Sequence, residues 1–116
     1  MWITSRDLAR VGYLFLRKGK WGDPQLVSER WVKLATTPGE VNPQYGFMWW
    51  LNTGQKQWPG VPESAFAMLG AGSNICFVDP DHDLVVVLRW VDRRSRDILL
   101  GIVQSVKSGA TIAAER

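Results

Sequence analysis

The chain has 116 residues, of which 46% are hydrophobic and 22% are charged, and this is ordinary usage for one globular domain with a single core. The formal net charge of +3 is too small to predict a nucleic-acid-binding surface, and no apolar run is long enough to span a bilayer. We therefore expect a single unit over residues 1–116, with no nucleic-acid partner and no membrane segment.

A helix is predicted over residues 5–18. Thr4 and Asp7 resemble a capping box at its start, with the short carboxylate of Asp in place of the usual Glu or Gln. The apolar residues that follow recur at helical spacing: Leu8, Val11 and Phe15. Gly19 then supplies the stop that is common at the carboxyl end of helices.

A second, shorter helix is predicted from Ser28 to about Ala35. Ser28 belongs to the residue types that cap helix amino termini, and Pro38 lies beyond the expected end. Trp31 and Leu34 are expected to face inward from this helix.

Strands are predicted in the middle of the chain. The aromatic-rich segment 45–51 indicates one strand, and a polar, proline-bearing loop follows over residues 54–63. Segments 65–69 and 74–78 have the composition of two further strands, and the glycine-rich segment 70–73 between them predicts a hairpin.

The last third of the chain predicts a turn, a strand and a helix. Residues 79–83 indicate the turn, and residues 84–88 are apolar at every position, as expected of a central strand that is covered on both faces. An amphipathic helix is expected over residues 95–107, with order through residue 108 and a tail over residues 109–116. The element order predicts an α+β fold, with an antiparallel sheet of three to four strands flanked by helices.

His82 and its acidic neighbours invite a catalytic or metal-binding interpretation. Adjacent side chains on an extended turn usually point apart, so we expect His82 to lie in a solvated turn. The alternating carboxylates of the turn have the spacing of a calcium loop, but the positions that require Gly and Glu hold Leu84 and Trp90. No metal site is therefore predicted.

Two other motifs are weak. Gly70-Ala71-Gly72 resembles the opening of a dinucleotide-binding fingerprint, but Ile75 takes the place of the third glycine and a strand follows instead of a helix. Cys76 lies in the middle of a predicted strand, where a buried and inert thiol is expected. We expect no cofactor. Arg93, Arg94 and Arg96 are interpreted as part of a solvated loop and helix start.

The glycine-rich turn retains one chemical possibility. Glycine permits a close approach of the backbone, so an N–H group at this turn could point at a substrate oxyanion. Trp49 and Trp50 point to opposite faces of a strand, so one of them can reach a pocket. The chain contains neither a Gly-x-Ser-x-Gly nor a Ser-x-x-Lys nucleophile motif.

Five segments, taken together and in order, resemble the C-terminal part of the serine β-lactamase and penicillin-binding-protein-like hydrolases, a family that includes class C β-lactamases and related esterases. They cover nearly the whole chain: residues 4–12, 19–31, 45–50, 66–80 and 83–87. The segment Tyr-Gly-x-x-Trp-Trp at 45–50 is similar to a strand of that family. The resemblance implies the C-terminal part of a β-lactamase/transpeptidase-like fold, present here as a fragment of a larger hydrolase.

The resemblance also implies roles for individual residues. The family motif Lys/His-x-Gly falls on Met68-Leu69-Gly70, so the cationic or imidazole position is occupied by Met68. Ala71 matches the position whose N–H completes the oxyanion hole, next to Gly70. Met68 and Leu69 are expected to contact a small-molecule ester or amide substrate, together with Trp49 and Trp50. The serine that forms the acyl-enzyme in this family lies outside the present sequence.

Alternatives from other functional classes stay open. The chain could be a non-catalytic binding or oligomerisation domain that uses the aromatic segment 45–51 and the loop 54–63. An apolar sheet without its surroundings is also expected to associate into homodimers. The sequence does not decide between an exported and a cytoplasmic protein.

Overall fold

The computed structural model describes residues 2–91 and 93–114, without the side chains of Ala110 and Ile112. In this part of the chain, three helices and four strands follow one another in the predicted order: α1 (Ser5–Leu16), α2 (Glu29–Ala35), β1 (Trp50–Leu51), β2 (Phe66–Gly70), β3 (Asn74–Asp79), β4 (Leu84–Leu88) and α3 (Ser95–Ala114). The strands form one antiparallel sheet in the order β1-β2-β3-β4. The predicted α+β fold class is confirmed.

The two predicted helix caps are confirmed. The Thr4 hydroxyl accepts a hydrogen bond from the Asp7 N–H at 3.1 Å and donates one to the Asp7 carboxylate at 2.7 Å. The Ser28 hydroxyl accepts from the Trp31 N–H at 3.1 Å. Each cap satisfies one of the backbone donors that a helix leaves without an internal partner.

The sheet separates two apolar clusters, because successive side chains of a strand point to opposite faces. The α1 face carries a buried cluster with Phe15 and Leu16 packed against it: Ala35, Trp49, Leu51, Phe66 and Val78. The α3 face carries the larger cluster: Trp58, Val61, Ala65, Ala67, Ile75, Phe77, Leu99 and Val103. The molecule is therefore layered, with the sheet between α1 on one face and α3 on the other.

Helix α1 lies unusually close to the sheet at Gly12. A Cβ atom at this position would lie 2.7 Å from the Cys76 sulfur and 2.9 Å from a methyl group of Val85. The Cys76 thiol donates a hydrogen bond to the Leu8 carbonyl at 3.4 Å, and burial raises the pKa of this thiol to about 11. The expectation of a buried thiol is confirmed, and Cys76 contributes to helix–sheet packing.

Two local predictions are wrong, both in the segment that precedes β2. Of the strand predicted over residues 45–51, only β1 forms, because Met48 adopts a left-handed backbone conformation (φ +68°) that an extended strand cannot contain. Trp31 and Leu34 of α2 are 45% and 48% exposed and do not face inward. In this short helix the buried positions are Val32 and Ala35.

Strand β4 lies at the edge of the sheet, so its prediction as a central strand is wrong. Val85 packs toward the α1 face, and Leu84, Val86 and Leu88 pack toward the α3 face, which explains why every position is apolar. Helix α3 continues beyond the predicted end at residue 107 to Ala114, so positions 109–114 of the expected tail are helical. Residues 115 and 116 of that tail lie outside the described residues.

Candidate functional site

The turn between β2 and β3, residues 70–73, is the exposed tip of the central hairpin. Gly70 and Asn74 form its last strand pair, and Gly72 and Ser73 have left-handed backbone conformations (φ +74° and +53°) that turn the chain back. Ala71 is exposed, and no described residue accepts a hydrogen bond from its N–H group. This N–H is therefore available to an acceptor from outside the chain.

The turn is held by a short chain of polar contacts. The Asn74 side-chain amide donates to the Ala71 carbonyl at 2.6 Å. The Arg89 guanidinium donates to the Asn74 side-chain oxygen at 3.4 Å and to the Ile3 carbonyl at 2.5 Å. Because the peptide that follows Ala71 is tied through its carbonyl, the orientation of the turn is coupled to the end of β4 and to the residues before α1.

An indole ring covers one side of the same turn. A Cβ atom at Gly72 would overlap the six-membered ring of Trp90. Trp90 is 78% exposed and has a left-handed backbone conformation (φ +54°), which directs the chain sharply after β4. Only glycine at position 72 allows this ring to lie against the backbone.

A cleft of about 280 Å³ opens beside the hairpin on the α3 face. Its wall consists of residues from the hairpin, from the loop before β2 and from the first turn of α3: Gln57, Trp58, Leu69, Gly70, Ser73, Ile75, Ser95 and Arg96. Trp58 and Ile75 are buried, whereas Arg96 is exposed. The cleft thus combines an apolar floor with a polar, basic rim, which suits a small ligand with an apolar body.

The structure brings together only part of the predicted site. Leu69 and Gly70 line the cleft, whereas Ala71, the next residue of the turn, is not among its lining residues. Met68 packs against the cluster of the α1 face, on the other side of the sheet. Trp49 belongs to that cluster and is 2% exposed, with its ring 4.5 Å from that of Phe15.

Trp50 faces the opposite side from Trp49, as predicted from strand alternation. It is half-buried against the cluster of the α3 face, and its ring lies 5.1 Å from that of Tyr45. Trp50 is not among the residues that line the cleft. The tryptophan pair therefore serves packing in the described structure, and a contact of either ring with substrate stays a prediction.

The turn between β3 and β4 contains the other polar constellation. The Asp79 side chain is fully buried, accepts from the Asp81 N–H at 3.1 Å and lies 2.7 Å from Nδ1 of His82. The expectation that His82 is a solvated turn residue is wrong, because its ring is engaged by the acid three positions earlier. Within residues 2–91 and 93–114, no group of three or more His, Cys, Asp or Glu residues could hold a metal ion.

Sequence reasoning missed Asn74, Arg89 and Asp79 as structural determinants of these turns. Asn74 carried a usable signal, since Asn next to Gly and Ser commonly bonds the backbone of a turn. Asp79 before Pro80 likewise has the pattern of a cap for a short helical turn. Arg89 carried none, because its acceptor at Ile3 lies at the other end of the chain.

Comparisons with known proteins support the fold. No family model matches the chain. An uncharacterized protein of Alkalihalophilus pseudofirmus OF4 is 29% identical over 97 residues, which cover 75% of this chain and 29% of that protein. A solved structure from Bacillus anthracis, described as a candidate 6-aminohexanoate-dimer hydrolase, matches 96% of this chain and 28% of its own, with a TM-score of 0.59 and 24% identity.

At this identity the solved structure shows a shared fold. The chain spans less than a third of the length of each of these two proteins. None of the helices among the described residues is long and apolar enough to cross a membrane. The four-stranded antiparallel sheet with three helices is consistent with the C-terminal part of a β-lactamase-like fold.

Proposed function

We propose that the chain is the C-terminal portion of a β-lactamase-like serine hydrolase that cleaves ester or amide bonds through an acyl-enzyme. In this proposal the hairpin supplies the pocket strand and one oxyanion-hole donor, and the nucleophile belongs to a longer polypeptide. The observation that carries it is the exposed Ala71 N–H, which has no acceptor among the described residues and directly follows Gly70, a residue that lines the cleft. The shared fold with a candidate hydrolase supports it independently.

The chemistry assigned to the hairpin is electrostatic. When a serine oxygen attacks the substrate carbonyl, the C=O π electrons move to oxygen and leave a negative charge there. The serine proton passes to a base and then to the leaving alcohol or amine, and water later hydrolyses the acyl-enzyme. The Ala71 N–H donates to the transient oxyanion, and loss of one such donor typically lowers the rate by about 100- to 1,000-fold.

Met68 narrows the class of substrate. The family places a lysine or histidine at this position, whereas Met68 offers no cation and packs into the α1-face cluster. The basic group of the cleft is Arg96 on the opposite face of the sheet. We propose that the substrate is an ester or amide that does not require a carboxylate partner at position 68.

A substitution at Gly70 tests whether the turn contributes to activity independently of its contribution to stability. A Cβ atom at Gly70 would lie 3.5 Å from the Asn74 carbonyl oxygen, which is ordinary contact, and its φ is not left-handed. In the polypeptide extended by its in-frame upstream coding sequence, Gly70→Val should lower kcat/KM for ester hydrolysis at least about 100-fold, because the side chain blocks approach to the Ala71 N–H. Thermal unfolding should change little.

Controls make this result specific. Gly101→Val adds the same side chain at an exposed helical position with no atom within 4 Å, and it should retain activity. The 116-residue chain alone should not react with a fluorophosphonate, whereas the extended polypeptide should be labelled at serine. Wild-type turnover in Gly70→Val, or stoichiometric labelling of the short chain, would contradict the proposal.

A second candidate function has a specific observation in its favour. The rings of Trp31 and Phe47 stack with centroids 5.6 Å apart and an interplanar angle of 18°, and Met48 beside them is 76% exposed. Such an exposed aromatic surface suits a protein-binding module that uses segment 45–51. The absence of an in-frame Ser-x-x-Lys from the upstream coding sequence would favour this candidate over the hydrolase.

A further inference from the structure

A row of three residues crosses the sheet next to the β2–β3 turn. Gly70 pairs with Asn74, and the pairing of Ile75 with Leu88 brings Arg89 opposite Asn74 on the other side. Ile75 and Leu88 pack on the α3 face, so the side chains of Asn74 and Arg89 point to the α1 face. The cleft lies on the α3 face. These two side chains therefore contact the turn from the face opposite the cleft.

Arg89 determines which end of the Asn74 amide faces the turn. A guanidinium only donates hydrogen bonds, so it binds the oxygen end of an amide. Nη1 of Arg89 donates to Oδ1 of Asn74 at 3.4 Å, which leaves the NH₂ end to donate to the Ala71 carbonyl at 2.6 Å. Nη2 donates to the carbonyl of Ile3, directly before α1, at 2.5 Å. The guanidinium thus connects the segment before α1 to the turn.

Asn74 restrains the peptide on each side of the Ala71 Cα atom. The peptide that carries the Ala71 N–H also contains the Gly70 carbonyl, and Gly70 is paired with Asn74 in the sheet. The next peptide is held through the Ala71 carbonyl by the Asn74 side chain. The direction of the Ala71 N–H therefore depends on Asn74, and the orientation of the Asn74 amide depends on Arg89.

The guanidinium of Arg89 is committed to these contacts. Within residues 2–91 and 93–114, no carboxylate lies within ion-pair distance of Arg89, and its hydrogen bonds go to the two oxygens of Asn74 and Ile3. A charged donor makes a stronger hydrogen bond than a neutral one, and it polarises the amide that accepts it. The bond from Asn74 to the turn is strengthened in consequence.

We propose that Arg89 is a positioning residue for the oxyanion donor, acting through Asn74 to hold the Ala71 N–H in the direction that the reaction requires. This inference rests on the hydrolase function proposed above. Arg89 contacts no reacting atom in this assignment. Its contribution arises when negative charge develops on the substrate oxygen, so it affects the transition state and not the binding of substrate.

Steady-state kinetics test this role in the polypeptide extended by its in-frame upstream coding sequence. Arg89→Ala should lower kcat for ester hydrolysis about 10-fold, a smaller loss than removal of the donor itself, and leave KM unchanged. Acylation and deacylation both pass through an oxyanion, so both steps should slow. Arg30→Ala, which removes an exposed guanidinium from α2, should retain full activity. A raised KM with unchanged kcat, or unchanged kinetics, would overturn the inference.

A double-mutant cycle tests whether Arg89 acts through Asn74. If it does, the variant with both Arg89→Ala and Asn74→Ala should have the same kcat as Asn74→Ala alone. A purely structural connection between β4 and the segment before α1 would instead give two independent losses that multiply. Circular dichroism and thermal unfolding establish that each variant is folded at the assay temperature. Multiplying losses would overturn the inference.

NMR relaxation of the 116-residue chain tests the coupling without an assay of activity. Backbone order parameters at residues 71–73 should fall in Arg89→Ala, and those at residues 79–83 should stay unchanged. An extended wild-type polypeptide without hydrolase activity would refute the proposed function and this inference with it. An active wild type whose Arg89→Ala variant keeps its order parameters at residues 71–73 would refute the inference alone.

Discussion

The two turns that flank β3 differ in how they are stabilised, since one is organised around a buried side chain and the other is exposed. The β3–β4 turn is organised around the buried carboxylate of Asp79, which engages His82 and the Asp81 backbone. The β2–β3 turn is exposed and is held from outside by the Asn74 amide and the Trp90 ring. One end of the hairpin system is thus anchored in the core, while the other keeps a backbone donor available to a ligand.

The difference matters for the proposed chemistry. A donor that stabilises an oxyanion must be fixed in direction and yet lack an internal acceptor. In the β2–β3 turn the Asn74 amide binds the carbonyl of Ala71, and the N–H of Ala71 has no acceptor among the described residues, so we assign the proposed donor to this turn. In the β3–β4 turn the Asp81 N–H is already bonded to the buried carboxylate of Asp79, so we expect this turn to stabilise the fold and not to bind a ligand.

The largest effect is expected at the anchored turn. Asp79→Ala removes the acceptor of the Asp81 N–H and of the His82 ring from a fully buried position, and the unfolding free energy should fall by about 2–3 kcal/mol. Urea unfolding measures the loss. Asp81→Ala, which removes an exposed carboxylate that accepts from Ser64, is the matched control and should cost less than about 1 kcal/mol. Equal losses would show that Asp79 is not an anchor.

An intermediate effect is expected at Gly72 in the exposed turn. Gly72→Ala strains a left-handed position and displaces the Trp90 ring, and we expect destabilisation of about 1–3 kcal/mol. Gly22→Ala is a close control, because Gly22 also has a left-handed φ (+65°) but no atom within 4 Å of an added Cβ. The difference between the two unfolding free energies measures the contact with Trp90. If the two losses are the same, that contact contributes nothing.

The smallest effect on global stability is expected at Asn74. Asn74→Ala removes a hydrogen bond at the surface, so the unfolding free energy should fall by about 1 kcal/mol. Backbone order parameters from NMR relaxation should nevertheless fall at residues 71–73 and not at residues 79–83, because only the first turn loses its side-chain hydrogen bond. Ser73→Ala, which retains that hydrogen bond, is the control. Unchanged order parameters at residues 71–73 would refute the positioning role of Asn74.

Local signals in the sequence predicted local structure well. Thr4 and Ser28 were identified as caps because the bonds they make span three residues, and the glycine-rich hairpin was identified because turn chemistry resides in the turn itself. The apolar run 84–88 predicted a strand covered on both faces, which is confirmed. Its place in the sheet could not be predicted, since covered faces are also possible at an edge.

Predictions failed where distant packing decides the outcome. Trp31 and Leu34 were expected inside because they are large and apolar, but a seven-residue helix has room for few buried positions and the smaller Val32 and Ala35 take them. A functional site at the β2–β3 turn stays a prediction, whereas the turn itself was predicted correctly for a local reason. The hydrogen bond from Arg89 to the Ile3 carbonyl, which supports this turn, joins residues 86 positions apart. No periodicity or motif in the sequence encodes such a contact.

The missing side chain at Gly12 has a consequence for how this fold can vary. Helix α1 approaches the sheet so closely that position 12 shares a single space with the sulfur of Cys76 and a methyl group of Val85. These three positions therefore form a coupled set in sequence space. A larger residue at position 12 becomes acceptable only when a smaller one replaces Cys76 or Val85, so related sequences should change these positions together.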